Sequence, residues 1–314
     1  MQSASRPLPP PEVDTLAALL LWRCEQHPHD LAYAYVRDTL EQDARWTYAE
    51  LLQQARTAAA HIAARTRPGD RVLLAHPAGL AFVRDFWGCV LSGRIAVPVP
   101  APDPVRAKNS LPRLQAIIDD AEATLVLTTA DLLPAAAQAP GPTPWCALDG
   151  LDPLPQADAD PAVTPHDVAY LQYTSGSTSA PRGAILTHAN VVAQCRGAVA
   201  ALAMDRDSRA LCWLPQHHDY GLVSGLLWPL HAGAASYLMS PLTFLRRPLR
   251  WLDAIGHFGI THTGAPNFAY AACTRALQQA PSWQGRLDSL LSATCGAEPI
   301  PKADTAGSPE WTVK

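Results

Sequence analysis

The fold of this 314-residue chain is decided by the stretch VAYLQYTSGSTSAPRG, which runs from Val168 to Gly183. It begins as an apolar run typical of a buried strand and passes directly into a segment rich in hydroxyl groups. Gly176 and Gly183 allow close backbone approach and positive φ, and Arg182 adds a permanent cation whose fork suits phosphate oxygens. Backbone N–H groups and hydroxyls together can wrap a polyphosphate. We therefore predict a phosphate-binding loop with hydroxyls from Thr174, Ser175, Ser177 and Thr178.

Two other interpretations of this loop fit the local sequence less well. A Walker A loop requires a second glycine where this chain has Pro181, so that motif does not match. A flexible linker rich in Ser, Thr and Gly is common between structural elements. The preceding strand, the Pro-Arg-Gly ending and a predicted helix from His188 to about Ala203 favour a structured loop over a linker.

Strands and helices alternate on both sides of the loop, which predicts βαβ units and a parallel sheet. The predicted fold class is α/β, with mostly parallel doubly wound sheets and flanking helices. Thr47 and Glu50 predict a capping box, and residues 134–166 a surface connection with one short strand near residues 145–148. The predicted strands are Leu31–Arg37, Arg71–Ala75, Ile95–Val99, Thr124–Thr128, Val168–Tyr173, Arg209–Leu214, Ala235–Met239, Thr261–Thr263 and Leu290–Cys295. The predicted helices are Thr15–Gln26, Thr47–Ala64, Ala81–Leu91, Leu111–Asp120, His188–Ala203, Tyr220–His231, Pro248–Phe258 and Phe268–Gln279.

Composition narrows the classes of function. Hydrophobic residues make up 48% of the chain and charged residues 17%, the net charge is -4, and lysine occurs only at positions 108, 302 and 314. This pattern predicts no nucleic-acid binding. No apolar run approaches the length of a membrane span, so none is predicted. Seven widely spaced cysteines without a CxxC pair, and a polar start without a signal-peptide pattern, predict reduced thiols and a cytoplasmic protein.

Longer segments carry a family resemblance. The loop pattern YTSGST-x-x-PRG, followed by a Thr-His pair, resembles the phosphate-loop signature of adenylate-forming enzymes, which usually have glycine at Ser179 and lysine at Arg182. The segments WLPQHHDYGL (213–222), LMSPLTFLRRPLRWL (238–252) and GAPNFAY (264–270) are similar to segments of fatty acyl-AMP ligases. The likeness runs from about residue 15 to about residue 300. The last two segments favour the AMP-ligase branch over acyl-CoA ligases.

This resemblance implies a reaction. A fatty carboxylate attacks the α-phosphorus of ATP and gives acyl-adenylate and pyrophosphate. The acyl group then passes to the phosphopantetheine thiol of an acyl carrier protein or, less readily, to CoA. ATP and Mg²⁺ are the implied cofactors, with Mg²⁺ bridging the phosphates near Thr178. Because a carboxylate is already a nucleophile, positioning and charge neutralisation do most of the work.

The resemblance also implies the site residues. The nucleotide is expected to contact Thr174, Ser175, Gly176, Ser177, Thr178, Arg182, Gly183, Gly296, Ala297, Glu298 and Pro299. The acyl pocket is expected to include His218, Asp219, Gly221, Gly225, Gly264, Pro266 and Asn267. The residues expected to act in the chemistry itself are Thr174, Thr178, Arg182 and His218. No metal ligand is assigned beyond Thr178.

Several of these residues have plainer interpretations. His217, His218 and Asp219, with Cys212 nearby in sequence, could form a metal site or an acyltransferase-type base, but adjacent histidines point apart. A structural role is the simplest interpretation of His217, and residues 296–299 suit an ordinary turn at a strand end. Four apolar neighbours suit a buried core as well as an acyl tunnel: Leu222, Leu226, Trp228 and Phe268.

Beyond Pro299 the resemblance stops. We expect a disordered leader at residues 1–12, a partial AMP-binding domain at 13–300 and a non-matching tail at 301–314. A Tyr-Gly-x-x-Glu segment, a ribose-binding Asp and a small C-terminal domain with a catalytic Lys are absent from the sequence. We therefore expect little adenylating activity from this chain alone. The alternatives are an acyl-CoA ligase relative and a silent lipid- or nucleotide-binding protein. An amino-acid adenylation domain is disfavoured, since Phe268-Ala269-Tyr270 offers no Asp.

Overall fold

The structure is a computed structural model that describes residues 12–103, 107–155, 163–173 and 181–298. The predicted leader, apart from Glu12, and the predicted tail lie outside the described residues. So do residues 174–180 of the predicted phosphate loop, and Pro299.

Strands and helices alternate through the described part of the chain. The strands are β1 (Leu31–Val36), β2 (Gln42–Thr47), β3 (Arg71–Leu74), β4 (Ile95–Pro98), β5 (Leu125–Thr128), β6 (Trp145–Ala147), β7 (Val168–Tyr173), β8 (Gly183–Thr187), β9 (Arg209–Cys212), β10 (Ala235–Met239), β11 (His262–Ala265) and β12 (Ser292–Cys295). The helices are α1 (Leu16–Gln26), α2 (Tyr48–Ala63), α3 (Leu80–Leu91), α4 (Ala107–Asp120), α5 (Leu133–Ala136), α6 (His188–Ala201), α7 (Asp219–Leu222), α8 (Trp228–Ala232), α9 (Pro241–Arg246), α10 (Leu249–Phe258) and α11 (Asn267–Gln279). A 3₁₀ turn (Ala130–Leu132) precedes α5, and a π-helical turn (Val223–Leu227) joins α7 to α8.

The strands form two six-stranded sheets. Sheet 1 has the order β6-β5-β3-β4-β7-β8, and sheet 2 has the order β12-β11-β9-β10-β1-β2. Neighbours are parallel except β7–β8 and β1–β2, which are antiparallel pairs at one edge of each sheet. The predicted α/β class with mostly parallel sheets and flanking helices is confirmed.

The two antiparallel edge strands correct the sequence-based prediction. β2 has the sequence QDARWT, in which the first four residues are exposed, so it lacks the alternation of a half-buried strand. β8 lies where we predict a direct passage from the loop to the helix at His188; that passage is wrong, because the chain first runs back along β7. An edge strand draws its hydrogen bonds from a partner that is distant in sequence or beyond a loop, and local pattern does not report that partner.

Two helical predictions also need correction, and two short helices lie in segments where we predict none. The helix predicted from Leu111 begins a turn earlier, at Ala107. The helix predicted over Tyr220–His231 is divided by the π-helical turn. The short helices α5 and α9 occupy segments without a predicted helix. Short helices held by tertiary packing leave little periodicity to detect.

The core sits on both faces of sheet 1. Val72 and Leu74 of β3 belong to a cluster that also holds residues of sheet 2, and α3 contacts both β3 and β1, so α3 lies between the sheets. Leu73 faces the opposite way, into a second cluster formed with α4. β3 is therefore buried on both faces, as a central parallel strand should be. Among the described helices, none combines the length and apolarity needed to cross a bilayer.

The predicted capping box of α2 is confirmed. The Thr47 hydroxyl oxygen accepts the Glu50 N–H at 3.3 Å, and the Glu50 carboxylate accepts the Thr47 N–H at 2.7 Å. Thr187 and Asn190 form the equivalent pair at the start of α6. This second cap fixes where β8 ends and α6 begins.

Replacing Thr47→Ala is expected to lower the free energy of unfolding by about 1 kcal/mol, because the Glu50 N–H loses its acceptor, the Thr47 hydroxyl. Thr57→Ala is the matched control within the same helix. Its hydroxyl bonds only the Gln53 carbonyl one turn back, so alanine should be neutral or slightly stabilising there. Urea unfolding of both variants measures the difference, and equal effects would contradict a capping role.

Candidate functional site

The candidate site lies at the carboxyl ends of parallel strands in both sheets. In sheet 2, β9 is flanked by β10 on one side and by β11 on the other, so the strand order reverses between β9 and β11. Ligands of open α/β sheets bind in the crevice at such a reversal. The segments predicted to form the acyl and adenine parts follow β9, β11 and β12 at this edge. The predicted phosphate loop follows β7 at the corresponding edge of sheet 1.

The base of the phosphate loop is a cross-strand pair. Tyr173, the last residue of β7, is the register partner of Gly183, the first residue of β8. A Cβ at Gly183 would come within 2.9 Å of the Tyr173 ring, so glycine lets the ring lie over the strand. The Tyr173 hydroxyl donates to Asp120 at 2.5 Å. Burial and this carboxylate raise the pKa of Tyr173, which keeps the hydroxyl a donor.

Both ends of the phosphate loop therefore leave from one point of the sheet edge. Arg182 lies beside this base with an exposed side chain. The residues predicted to grip phosphate between these ends are outside the described ranges: Thr174, Ser175, Gly176, Ser177 and Thr178.

The segment after β9 holds the predicted His218–Asp219 pair. His218 Nδ1 lies 2.7 Å from Asp219 Oδ1 and 3.3 Å from the Tyr220 nitrogen. The shorter contact assigns the proton to Nδ1, and Asp219 Oδ1 also accepts the Tyr220 N–H at 2.6 Å. Nε2 of His218 is then left for an outside partner, and the side chain is 47% exposed.

His217 is a partly buried histidine with no evident chemical role. Burial above all, with smaller contributions from the neighbouring His218 and Arg113, lowers the pKa of His217 to about 4, so its ring is neutral at pH 7. Cys212 Sγ faces Ser224 Oγ at 3.7 Å. Within the described ranges, no three His, Cys, Asp or Glu side chains gather as metal ligands.

A residue not selected from the sequence, Tyr220, links two predicted parts of the site. Its hydroxyl lies 2.5 Å from Thr294 Oγ1. A Cβ at Gly264 would fall 2.2 Å from that hydroxyl, and a Cβ at Gly296 would fall 3.5 Å from the Tyr220 ring. The structure thus brings a predicted acyl-pocket glycine and a predicted nucleotide glycine to one tyrosine. The only sequence signal for Tyr220 is its position directly after the His-His-Asp run.

Glu298 also joins the two parts. Its Oε1 accepts the Phe268 N–H at 3.0 Å, in the first turn of α11, where Pro266 is the N-cap and Asn267 the first helical residue. A carboxylate at this end of a helix is favoured by the unpaired N–H groups and the macrodipole. Ala297 reaches this arrangement with φ of 69°, the left-handed region. The predicted turn at the strand end therefore also caps α11.

Two predicted pocket glycines have packing roles. A Cβ at Gly221 would lie 2.1 Å from the Pro215 carbonyl oxygen, and one at Gly225 would lie 3.2 Å from Cys212. Both residues thus let the helical segment pass closely over β9 and the segment that follows it. Leu222 and Leu226 are fully buried core residues, whereas Phe268 is 47% exposed.

The π-helical turn is stabilised by side-chain donors from outside it. Ser236 Oγ donates to the Gly225 carbonyl at 2.6 Å, and the Tyr33 hydroxyl donates to the Leu226 carbonyl at 2.9 Å. In a regular helix the Gly225 carbonyl would have no donor, because the residue four positions later is Pro229, which lacks an N–H. Such turns occur often at functional sites, and this one follows directly on His218 and Tyr220.

A cavity of about 290 Å³ opens at the carboxyl end of β4, one strand from the predicted phosphate loop. Its lining combines apolar and polar groups: Pro100, Ala101, Asp103, Ser110, Arg113, Leu114 and Ile117. Arg113 thus brings a cation to the same edge of sheet 1 as Arg182. The two arginines are compatible with the charge of a polyphosphate nucleotide.

Comparison with known proteins identifies the class. The AMP-binding enzyme family matches residues 20–306, and the chain belongs to that family. This finding confirms the predicted resemblance and the prediction of a ligase-type, AMP-binding chain.

Individual relatives narrow the family. The medium-chain-fatty-acid–[acyl-carrier-protein] ligase JamA of Moorena producens is 37% identical over 92% of this chain and 50% of its own length. The long-chain-fatty-acid–AMP ligase FadD23 of Mycobacterium tuberculosis is 33% identical over 87% of this chain and 49% of its own length. A fatty acyl-adenylate ligase from L. pneumophila, solved with acyl adenylate and pyrophosphate, matches with a TM-score of 0.85 and 30% identity, covering 96% of this chain and 53% of that one. The chain spans about half the length of these relatives.

Proposed function

We propose that this chain carries the phosphate side and the acyl side of a site that activates a fatty acid with ATP. The products are acyl-adenylate and pyrophosphate, and the acyl group is destined for the thiol of an acyl carrier protein. The names of the relatives support the fatty acid and the carrier. The observation that carries the proposal is the hydrogen bond from Gln172 Nε2 to the His217 carbonyl, 2.9 Å long. It ties the strand before the phosphate loop to the segment that presents His218.

In the proposed reaction, a carboxylate oxygen of the fatty acid forms a bond to the α-phosphorus. The bond from that phosphorus to the bridging oxygen breaks, and pyrophosphate leaves with the electron pair. No proton must be moved, so the protein orients the two substrates and neutralises charge. Arg182 supplies positive charge to the leaving phosphates. His218 Nε2 makes a polar contact where the carboxylate meets the α-phosphate.

Magnesium, which the family implies, would be held through the ATP phosphates and Thr178. When bound, it neutralises phosphate charge. Gly296 and Ala297 would offer backbone groups at the nucleotide edge. Gly264 and Pro266 would border the acyl group near Tyr220, with Asp219 holding the His218 ring in place.

Calorimetry with an acyl-sulfamoyl-adenosine, a stable mimic of acyl-adenylate, tests the proposal directly. We expect binding that depends on the acyl chain and that ATP competes away. Fatty-acid-dependent exchange between ATP and pyrophosphate then separates an enzyme from a silent binding protein. Supplying CoA or a carrier protein separates the two acceptors. Failure to bind the mimic would rule the proposal out.

Arg182→Ala is expected to weaken ATP binding about 10-fold, because one charge-assisted contact to phosphate is lost. Arg182→Lys keeps the charge that the family usually has there and should stay within about 3-fold of the parent. Arg45→Ala is the control, since Arg45 is an exposed arginine on β2, at the edge of the other sheet. Calorimetric titration with ATP reports all three affinities. An unchanged affinity in Arg182→Ala would remove Arg182 from the phosphate site.

A further inference from the structure

Two buried glutamines join the two sheets by reciprocal hydrogen bonds. Gln172, on β7 of sheet 1, is 7% exposed, and its Nε2 donates to the His217 carbonyl at 2.9 Å. Gln216, in the segment after β9 of sheet 2, is 4% exposed, and its Oε1 accepts the Gly79 N–H at 2.7 Å. Because each partner is a backbone group of fixed polarity, the orientation of both amides is determined. We call this pair of bonds the glutamine clasp.

The clasp holds neighbouring positions of one segment. Gln216 and His217 are adjacent, so the segment Pro215–His218 is bound to sheet 1 at two successive residues. Gln172 stands two residues before the start of the predicted phosphate loop. A movement of the Pro215–His218 segment relative to β7 must therefore strain or break at least one of the two bonds.

The side of the clasp in sheet 1 is itself anchored. Gly79 immediately precedes α3, and Asp85 of α3 is fully buried with its carboxylate 3.0 Å from His76 Nε2 and 2.6 Å from Arg84 Nε. Burial alone would raise the pKa of Asp85, but His76 and Arg84 bring it below its ordinary value. Arg84 also reaches Asp149 at 3.1 Å. Gly79 thus lies between His76 and Asp85, two residues that are joined by this buried contact.

Each glutamine leaves one polar atom unused. Gln172 Oε1 and Gln216 Nε2 are buried and have no hydrogen-bond partner among the described residues. Buried polar atoms in native proteins are nearly always satisfied. One is an acceptor and the other a donor, which suits an ordered water or a polar group of a ligand in the crevice.

We propose that Gln172 and Gln216 are positioning residues that keep the His218 segment in register with β7, the strand that leads into the predicted phosphate loop. The inference rests on the proposed function, because it assigns the two segments to one ligand. An acyl-adenylate carries both the adenylate and an acyl group, whose junction the proposed function places at His218, whereas ATP has no acyl group for the His218 segment to contact. Loss of the clasp should therefore weaken binding of the joined ligand more than binding of ATP.

Gln172→Met and Gln216→Met remove the amides while keeping similar volume. We expect each to weaken the acyl-sulfamoyl-adenosine about 10-fold, the value of one hydrogen bond, and to change ATP affinity by less than about 3-fold. Gln194→Met is the matched control, since Gln194 Oε1 accepts the Trp228 Nε1–H at 2.9 Å away from the clasp. An equal loss for both ligands would mean general damage and would overturn the proposal.

Glutamate substitutions distinguish hydrogen bonding from shape. Gln216 uses its oxygen, so Gln216→Glu retains the acceptor for the Gly79 N–H. Gln172 uses its nitrogen, so Gln172→Glu loses the donor and sets a carboxylate against the His217 carbonyl. Both variants bury a charge. Only Gln172→Glu, however, should weaken binding of the acyl-sulfamoyl-adenosine more than binding of ATP, as Gln172→Met does. Identical ratios for the two glutamate variants would contradict the assigned bonds.

Hydrogen–deuterium exchange tests the clasp without any ligand. Gln172→Met should raise exchange in the peptide covering residues 213–219, which belongs to the other sheet and does not contain the substitution. Gln194→Met should leave that peptide unchanged. No change in Gln172→Met would overturn the proposal. If the parent chain does not bind the adenylate mimic, the proposed function fails, and the exchange result still decides whether the clasp couples the two segments.

Discussion

Lowering the pH from 7 to 5 is expected to reduce the free energy of unfolding by about 2 kcal/mol for each of three histidines. The pKa values of His188, His217 and His231 are each lowered to about 4, first of all by burial. Arg23 and Arg196 add to the effect at His231. Together the three could remove a large part of the stability of an ordinary domain, which is about 5–15 kcal/mol.

The direction follows from proton binding. A histidine has a pKa near 6.5 in the unfolded chain and about 4 in the folded protein. Between these two pH values the unfolded state therefore binds more protons than the folded state. Stability is complete above about pH 6.5 and falls as the pH drops toward 4. His188 shows why protonation is unfavourable in the folded state. The residue is 3% exposed, and its Nδ1 accepts the Leu16 N–H at 3.2 Å. Protonation of Nδ1 would destroy that bond.

Chemical unfolding at pH 8, 7, 6 and 5 measures the effect, and the interval from pH 8 to 7 serves as the internal control, since these histidines should not titrate there. His188→Asn keeps an acceptor for the Leu16 N–H but cannot titrate. This variant should lose about 2 kcal/mol less than the parent chain between pH 7 and 5. The same pH dependence in both proteins would show that His188 does not stay neutral on folding.

Gly221→Ala is expected to lower the free energy of unfolding by about 3 kcal/mol, at the upper end for an overpacked site. The added Cβ would lie 2.1 Å from the Pro215 carbonyl oxygen and 2.8 Å from its carbonyl carbon. Both are main-chain atoms, which cannot rotate aside as a side chain would. The backbone of the segment Pro215–His218 must shift instead, and the substitution should therefore also weaken binding of the adenylate mimic.

Two further glycines calibrate this prediction. A Cβ at Gly225 would meet side-chain atoms of Cys212 and Leu238 at 3.2–3.3 Å, so Gly225→Ala should cost less. Gly197, exposed in the interior of α6, has no atom of the described residues within 4 Å of its Cβ position. Gly197→Ala should stabilise the chain by about 0.5–1 kcal/mol, since alanine is the better helix former. Urea unfolding should give this order, and a fully stable Gly221→Ala would contradict the close approach.

The mimic-binding and exchange experiments on the glutamine clasp complement these stability measurements. The stability of Gly221→Ala reports how tightly the segment Pro215–His218 packs against residue 221. The clasp variants report how that segment is placed relative to β7. A chain in which Gly221→Ala unfolds but Gln172→Met stays folded would separate the two contributions.

Interactions between residues close together in the sequence determine much of the secondary structure and the α/β class of this protein. The sequence predicts the capping box at Thr47 and Glu50, the strand that ends at Tyr173, and the alternation of strands with helices. Each of these features depends on residues that are close together in the chain. Cap hydrogen bonds and strand burial act over such distances, so the sequence predicts them and the α/β class correctly. The longer segments that resemble fatty acyl-AMP ligases predict the family, which the comparisons confirm.

Tertiary structure alone decided which of these segments meet. The sequence does not predict β8, because an antiparallel edge strand is defined by its partner β7. It does not single out Gln172, Gln216 or Tyr220, whose partners lie in other parts of the fold, between 45 and 137 residues away in the chain. Side-chain hydrogen bonds and close glycine contacts depend on distances between elements, and only the packed sheets set those distances.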